Sequence, residues 1–375
     1  MPATRRHFLT TAMASVATGA AAFVVGRETV TAQKRPTAAP DGTLAAAAFG
    51  VAADGSTDDT DALRAAVDAA QAQSATLRLP LGTMRITGSL EIERPMTLAG
   101  AAAYVLWGSQ NDGFDTIDLP LAPPYLAGSV ILVDAEDVDG LRLTGAGLHA
   151  NLRDFGIRFA RPFSRTGHGV VAEPPQLSSG GRDNGLQGAT WERLAVHGHD
   201  GDHYAYRLVN PIYASFRDLR GFGGGLLSVE DDSSGSDGHY GNCVFAHIYG
   251  QLHVAGSAHG IQLIDPQGRL NLLCFVRPQV STTDKSKALH TTPPHRSQHI
   301  FHADPGVRSV SILAPDFESN VGGTCQLGEG PGWFVDVGGR ISDPRIWDVM
   351  TGSVTAEQAS ARLRSDMTFT PPPAP

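Results

Sequence analysis

The fold of this chain is decided by one stretch near its beginning, which reads FGVAADGSTDDTDALRAAVDAA from Phe49 to Ala70. The part up to Asp59 is rich in Gly, Asp, Ser and Thr, which favour turns and helix N-caps. From Thr60 onward, apolar residues recur with the 3.6-residue period of one helix face. These residues are Leu63, Ala66, Val67 and Ala70. The stretch therefore predicts a turn-rich loop followed by an amphipathic helix over Thr60–Ala72.

Short alternating strands follow this helix and are separated by Gly or Pro. They are Thr76–Pro80, Gly82–Ile86, Leu90–Ile92 and Met96–Leu98. Together, residues 49–98 resemble the opening of pectate-lyase-like right-handed β-helix proteins, a motif shared with the rhamnogalacturonase-like, polygalacturonase-like and phage-tailspike groups. The resemblance implies an all-β, single-stranded, right-handed parallel β-helix. In such a solenoid the helix from Thr60 would cap the N-terminal end and cover an open sheet edge.

A repeated apolar pattern supports the solenoid independently of that resemblance. Pairs of apolar residues three apart begin at Leu152, Trp191, Phe216, Phe245 and Leu272, and the last four starts are 25, 29 and 27 residues apart. Such a period is typical of the coils of a repeat architecture. An all-β sandwich, with a strand every 8–12 residues, fits part of the pattern. The N-terminal motif favours the solenoid.

Composition excludes several classes of protein. The chain has 375 residues, a net charge of −9, 43 glycines and three cysteines. Nucleic-acid binding needs a basic face, which this acidic balance argues against. Three cysteines cannot build a disulfide scaffold, although Cys243 and Cys274 lie about one coil apart and are candidates for stacked neighbours. The oligomeric state is left open.

The N-terminal residues have the pattern of an export signal. Arg5 and Arg6 stand in the run TRRHFL and precede an uncharged, Ala-rich segment over Ala12–Val25. That segment is shorter than the roughly 20 residues that span a membrane. The pattern resembles a twin-arginine signal, which implies the twin-arginine translocase as a transient partner and a secreted (extracellular or periplasmic) protein.

The predicted organisation has four parts. Residues 1–32 are the export signal and residues 33–43 a linker. Residues 44–366 form the β-helix domain, and residues 367–375 a Pro-rich tail. A second short helix is predicted over Thr355–Arg364, near the end of the domain.

The first candidate catalytic segment runs from His197 to His203, directly after a predicted strand. Strand alternation would place His197 and His199 on one side and Asp200 and Asp202 on the other. Imidazoles and carboxylates at a strand end can act as general acid and base. A solvated polar turn is the alternative.

The second candidate segment follows one coil later and contains Asp231, Asp232 and His239. Stacked coils would bring one of these aspartates near Asp200 or Asp202, giving a carboxylate pair. Weak binding of Ca²⁺ by the oxygen ligands of this acidic loop is left open. No other cofactor is expected. A flexible acidic loop is the alternative.

The third candidate is a carboxylate pair on one strand, Asp316 and Glu318, with Cβ atoms roughly 6.6 Å apart. Carboxyl groups at roughly 5–9 Å carry out glycoside hydrolysis, although the pair need have no catalytic role. A long insertion over residues 104–125 supplies Tyr104 and Trp107, whose rings can stack on sugars or pin the loop. Arg158 and His197 complete the substrate-binding candidates.

The resemblance suggests an exported polysaccharide-degrading lyase or glycosidase with its substrate along the β-helix groove. A non-catalytic carbohydrate-binding or adhesin-like solenoid and an intramolecular fructotransferase-type transglycosylase are the alternatives. The chain departs from polygalacturonases, because Gly167-His168-Gly169 precedes Asp231-Asp232, the reverse of their order. The histidines at 290, 295, 299 and 302 are predicted to lie in a Pro-rich loop, with spacings unlike those of a zinc site.

Overall fold

The computed structural model describes residues 36–105, 126–160, 166–178, 182, 185–232, 240–252, 257–282, 299–319, 324–326 and 334–336. Strands dominate these residues, and equivalent strands of successive coils pair in parallel. The chain is a single-stranded parallel β-helix, with the right-handed crossovers that parallel strands adopt. The predicted fold class is confirmed.

Each full coil contributes to three parallel sheets. The first sheet contains β1 (Thr43–Ala45), β3 (Thr76–Arg78), β6 (Thr97–Ala99), the first parts of β10 (Asn151–Phe159), β12 (Thr190–Val209) and β13 (Ser215–Glu230), and then β14 (Tyr240–Ala246), β17 (Leu270–Val276), β20 (Val310–Leu313) and β23 (Phe334–Asp336).

The second sheet contains β2 (Asp54–Asp58), β4 (Gly82–Ile86), β8 (Leu126–Val133), the next parts of β10, β12 and β13, and then β15 (Tyr249–Leu252), β18 (Gln279–Thr282) and β21 (Asp316–Ser319). The third contains β5 (Leu90–Ile92), β9 (Leu141–Leu143), β11 (Val170–Ala172), the ends of β12 and β13, and then β16 (Ile261–Ile264), β19 (His299–Ala303) and β22 (Thr324–Gln326).

Three short elements stand outside these sheets. Strand β7 (Ala103–Val105) pairs antiparallel with the start of β8. Two 3₁₀ turns occupy Ala46–Phe49 and Gly145–His149.

The N-terminal cap is the helix α1 (Thr60–Gln73), one residue longer than predicted. Asp59, just before it, accepts hydrogen bonds from the backbone N–H groups of Ala52 and Ala53 (2.7 and 3.1 Å). Asp58 accepts bonds from the Thr60 N–H and the Thr87 hydroxyl (3.0 and 2.8 Å). These carboxylates satisfy backbone donors of the motif loop and tie it to α1 and to the next coil.

Large apolar side chains from successive coils stack inside the first sheet. The register aligns Leu77, Leu98, Leu152, Trp191, Phe216, Phe245, Phe275 and Ile312. The rings of Phe216 and Phe245 are 4.6 Å apart, and those of Phe245 and Phe275 are 4.9 Å apart, both pairs nearly parallel. The Leu272 prediction is wrong: Leu272 has φ +54° and is 55% exposed, and Phe275 takes the interior position.

The corner between the first and second sheets repeats a left-handed backbone conformation on each coil from β10 to β20. The non-glycine residues in it are Asp154, Arg193, Asp218, His247, Arg277 and Ala314, with φ between +47° and +63°. Arg193 forms two hydrogen bonds with Asp154, one coil below (2.5 and 3.0 Å). The paired charges help to offset the cost of the left-handed backbone.

The proposed stacking of Cys243 on Cys274 is wrong. Cys243 pairs with Leu273, and Cys274 with Val244, so the two thiols are one residue out of register and lie on opposite faces of the sheet. Both are free cysteines. Burial raises the pKa of Cys243 to about 12.

The predicted export signal over residues 1–32, the helix over Thr355–Arg364 and the tail over 367–375 lie outside the described residues. The first strand begins at Thr43, beside the predicted domain start at residue 44. Among the described residues, none of the helices is long and apolar enough to cross a membrane.

The aromatic stack predicts a sharp contrast between two neighbouring residues of β14. Phe245→Ala removes a fully buried ring and should lower the free energy of unfolding by about 3–5 kcal/mol. Val244→Ala truncates a side chain that is 42% exposed and should cost less than about 1 kcal/mol. Urea unfolding followed by circular dichroism measures both. Equal losses for the two variants would contradict the interior stack.

Candidate functional site

The site is built on a bulge in β12, at the corner between the second and third sheets. His199 pairs with Gly223 and Tyr204 pairs with Gly225, so four residues of β12 face the single residue Gly224. A Cβ atom at Gly224 would lie 1.9 Å from the Asp200 carbonyl oxygen. The glycine therefore lets the bulge pack closely, and the extra length carries Asp200, Asp202 and His203 outward.

Asp200 and His203 form the central pair of the bulge. The Nδ1 atom of His203 lies 2.6 Å from Oδ1 of Asp200, and the Thr166 backbone N–H donates to Oδ2 over 2.8 Å. Burial opposes ionisation of Asp200, but these hydrogen bonds outweigh it and lower its pKa to about 2. The same bond to Asp200, against the effect of burial, raises the pKa of His203. The pair favours ionised Asp200 and protonated His203.

A second imidazole, His168, lies beside this pair with the opposite electrostatics. Its ring centroid is 4.8 Å from that of His203, in an edge-to-face arrangement. Burial, and then repulsion from His203, lowers the pKa of His168 to about 3. Its Nδ1 accepts the Tyr204 backbone N–H over 3.0 Å, so the neutral ring carries its proton on Nε2. His168 is thus a neutral donor next to a readily protonated imidazole.

Tyr204 joins the site to later coils. Its hydroxyl accepts the His259 backbone N–H over 3.0 Å and donates to Oε1 of Gln262. A Cβ atom at Gly225 would lie 2.3 Å from the Tyr204 ring. The missing side chain at Gly225 therefore makes room for the phenol to reach across one coil.

A second imidazole cluster continues on those later coils. The ring of His259 lies 4.5 Å from that of His302 and 5.1 Å from that of His299. The His299 backbone N–H donates to Nδ1 of His259 over 3.0 Å, and burial lowers the pKa of His259 to about 4. His299 and His302 lie on β19, so their predicted loop location is wrong, while 290 and 295 lie outside the described residues. The described residues contain no group suited to hold a metal ion.

The outer face of the second sheet brings together other predicted residues. Arg158 and His197 are direct register partners on β10 and β12. Burial lowers the pKa of Arg158. The same column continues through Phe222, Gln251 and Ser281 to Glu318, with Asp316 on the same strand. Four coil steps separate His197 from Glu318, roughly 19 Å, so these two do not form one acid–base centre.

One expectation about the first candidate segment is wrong. His199 does not share a face with His197: it is fully buried, and its Nε2 lies 2.7 Å from the Gly225 carbonyl oxygen. The register shifts by one residue between His197 and His199, which breaks the strand alternation on which that expectation rested. Asp202 is exposed, and its Oδ1 accepts hydrogen bonds from the backbone N–H and hydroxyl of Ser257 (2.8 and 3.1 Å).

The expected stacking of Asp231 or Asp232 on Asp200 or Asp202 is also wrong. Asp231 directly follows Glu230, which pairs with Val209. Val209 is the last residue of the third-sheet segment of β12, whereas Tyr204, next to the bulge, is the first. The two loops are thus separated by roughly 20 Å along the strand. Asp231 is 4% exposed, and Asp232 binds the Arg182 guanidinium at 2.9 Å.

The remaining predicted site residues lie partly outside the described residues. Trp107 and His239 lie wholly outside them. Tyr104 and Glu318 lie on β7 and β21, where the structure describes the backbone alone. His168 and His203 both lie in runs that stand out in the sequence, but neither was predicted as a site residue. His203 could have been predicted from its position three residues after Asp200. His168 could be placed beside it only from the register between coils.

One known protein family resembles the N-terminal part of this chain. Residues 45–135 match the family described as rhamnogalacturonase A/epimerase, pectate lyase-like. This match confirms the family resemblance expected from the N-terminal motif. No curated protein sequence matches the chain.

Several solved structures resemble it at low identity. The A-module of mannuronan C-5 epimerase AlgE4 from Azotobacter vinelandii is 16% identical, with a TM-score of 0.31 over 78% of this chain and 99% of that one. The tailspike gp49 of Acinetobacter baumannii bacteriophage Fri1, a capsular polysaccharide depolymerase, is 11% identical, with a TM-score of 0.35 over 79% and 55%. A GH87 α-1,3-glucanase from Streptomyces thermodiastaticus is 15% identical, with a TM-score of 0.31 over 80% and 59%.

The buried, neutral His168 predicts a pH-dependent stability. Its pKa is near 6.5 when unfolded and about 3 when folded, so between these values the unfolded chain binds more protons. Its contribution to the free energy of unfolding should therefore fall as the pH falls through this window, by up to about 1.4 kcal/mol per pH unit. Urea unfolding at pH 7, 6 and 5 measures it.

His168→Gln should reduce this dependence, because glutamine does not titrate, while the buried His259 still contributes. His149→Gln replaces an exposed histidine on the 3₁₀ turn at Gly145–His149 and serves as the control. A wild-type slope in His168→Gln would show that His168 is not the buried neutral group.

Proposed function

We propose that the protein is an exported enzyme that cleaves a polysaccharide by acid–base chemistry, with His203 as the proton-transferring residue. The observation that carries this proposal is the pair of adjacent imidazoles whose pKa values are shifted in opposite directions. Environments that separate the pKa values of neighbouring groups are typical of acid–base sites. The family match supports a carbohydrate substrate.

Each residue of the site has a distinct role in this proposal. Asp200 binds Nδ1 of His203 and leaves its Nε2 as the atom that exchanges a proton with the substrate. His203 is 29% exposed, so the substrate can reach it. The neutral His168, with its proton on Nε2, can donate a hydrogen bond to a substrate oxygen without competing for the transferred proton.

Elimination fits this geometry better than hydrolysis by two carboxylates. Such hydrolysis needs one carboxyl group that stays protonated near neutral pH, whereas the pKa of Asp200 is about 2. In an elimination at a pH above the raised pKa of His203, the imidazole is neutral and its Nε2 removes the proton on the carbon next to a uronate carboxylate. The electron pair forms a C=C bond, the bond to the glycosidic oxygen breaks, and that oxygen takes up a proton from water, while the proton on His203 returns to the solvent. The favoured substrate is therefore an acidic polysaccharide.

The experiment incubates the protein with a panel of acidic and neutral polysaccharides. Ultraviolet absorbance detects the unsaturated product of elimination, and a reducing-end assay detects hydrolysis. His203→Gln and Asp200→Asn should each lower the cleavage rate by about 10²-fold or more with little change in melting temperature. His149→Gln is the matched control and should retain the wild-type rate.

The outcomes separate the competing functions. Cleavage that survives His203→Gln would overturn the assignment of His203, and loss only in Glu318→Gln would move the chemistry to the second sheet. Reducing ends without unsaturated product would replace elimination by hydrolysis. Glycan binding without any cleavage would favour the non-catalytic solenoid.

Export is proposed from the twin-arginine pattern in residues 1–32. Changing both Arg5 and Arg6 to Lys keeps the charge but removes the pair that the translocase recognises. The variant should accumulate in the cytoplasm, as cell fractionation and immunoblotting would measure. Unchanged secretion would contradict a twin-arginine route.

A further inference from the structure

A polar cavity of about 210 Å³ opens on the outer face of the third sheet. It lies where β5, β9 and β11 stack, and two prolines after β11 form part of its wall. Its lining includes Glu91, Arg142, Thr144, Glu173, Pro175 and Arg182.

The cavity is connected to the His168–His203 centre through one carboxylate. Asp139 accepts the His168 backbone N–H at Oδ1 (2.8 Å) and the Arg142 guanidinium at Oδ2 (2.5 Å). Arg142 follows Asp139 by three residues, so the cavity begins roughly 10 Å along the sheet from His168. A chain-like ligand that passes His203 along this sheet would meet the cavity next.

The charges that line the cavity compensate one another. Glu173 binds Arg142 at 3.2 Å and Arg182 at 2.8 Å, and Glu91 is the register partner of Arg142. Two guanidinium groups thus face two carboxylates, and the lining has no net charge. An anionic sugar would gain little in such a site, because each cation is already balanced.

The remaining features of the cavity suit a sugar ring. Arg142, whose side chain is 42% exposed, retains N–H groups beyond those bound to Asp139 and Glu173. Glu91 is exposed and supplies acceptor oxygens, and Thr144 supplies a hydroxyl. Pro175, which is exposed, provides apolar surface for the C–H face of a ring.

We propose that this cavity binds one neutral, hydroxyl-rich sugar residue of the polysaccharide. The assignment of that residue to the cleaved chain rests on the function proposed for His203. A substrate that satisfies both sites carries an acidic residue at His203 and a neutral residue at the cavity, and is therefore a heteropolysaccharide.

The test is saturation-transfer NMR with methyl glycosides of neutral hexoses, and with galacturonic and glucuronic acids as the charged probes. The neutral glycosides should bind, and the uronic acids should bind at least fivefold more weakly. Glu91→Gln and Thr144→Val should each weaken neutral-sugar binding by at least fivefold. Glu93→Gln changes an exposed carboxylate on the same coil that does not line the cavity, and should bind like the wild type.

The outcomes distinguish this site from the catalytic one. Wild-type binding in both Glu91→Gln and Thr144→Val, absence of neutral-sugar binding, or tighter binding of uronic acids would overturn the cavity assignment. On a cleaved polysaccharide, these two variants should raise KM with kcat unchanged, whereas His203→Gln should lower kcat. Loss of binding in the cavity variants, together with full activity in His203→Gln, would refute the catalytic proposal and leave the cavity proposal standing.

Discussion

The stacking of each coil on the one before it is the constraint on which the rest of this structure depends. Parallel strands in register place chemically similar side chains about 4.8 Å apart, and the inner column of the first sheet uses this spacing for a stack of apolar and aromatic residues. The ladder ends at the N-terminal coil, where α1 covers the open edge. The aspartates of the motif loop tie α1 to that coil, so one short stretch determines where the solenoid begins.

The candidate site lies where this register is interrupted. Regular pairing would continue the strand alternation past His197, but the register shifts between His197 and His199, and the next four residues of β12 face one residue of β13. The glycines at 224 and 225 allow this interruption, because side chains there would collide with Asp200 and with the ring of Tyr204. The extra backbone brings a carboxylate and an imidazole to the surface, while neighbouring regular coils hold His168 in place. A rigid ladder with one local bulge can position proton-transferring groups without a flexible loop.

The sequence was sufficient for the fold because the N-terminal motif and the spacing of Trp191, Phe216 and Phe245 both depend on local chemistry. The same spacing failed at Leu272, because unequal lengths between coils shift the phase and the interior position falls on Phe275. Asp200 was found from its residue type and its position after a strand. The position of His168 beside His203 was not, because His168 and Thr166 lie one coil before Asp200 and His203, and only the register brings them together. The pairing of Asp231 with Asp200 failed for the related reason that neighbouring coils do not place their loops at the same corner.

The outer face of the third sheet shows how such a ladder manages charge. Like charges stacked on adjacent coils would repel one another, but here Arg207 binds Glu230 at 2.7 Å and Glu173 at 3.4 Å, and Glu173 also binds Arg142 and Arg182. The carboxylates and guanidinium groups are therefore held by one another before any ligand arrives. A neutral ligand then needs only to exchange water for hydroxyl groups along a surface that is already ordered, whereas a charged ligand would have to break an existing ion pair. This difference favours the neutral sugar residue proposed for the cavity over an anionic one.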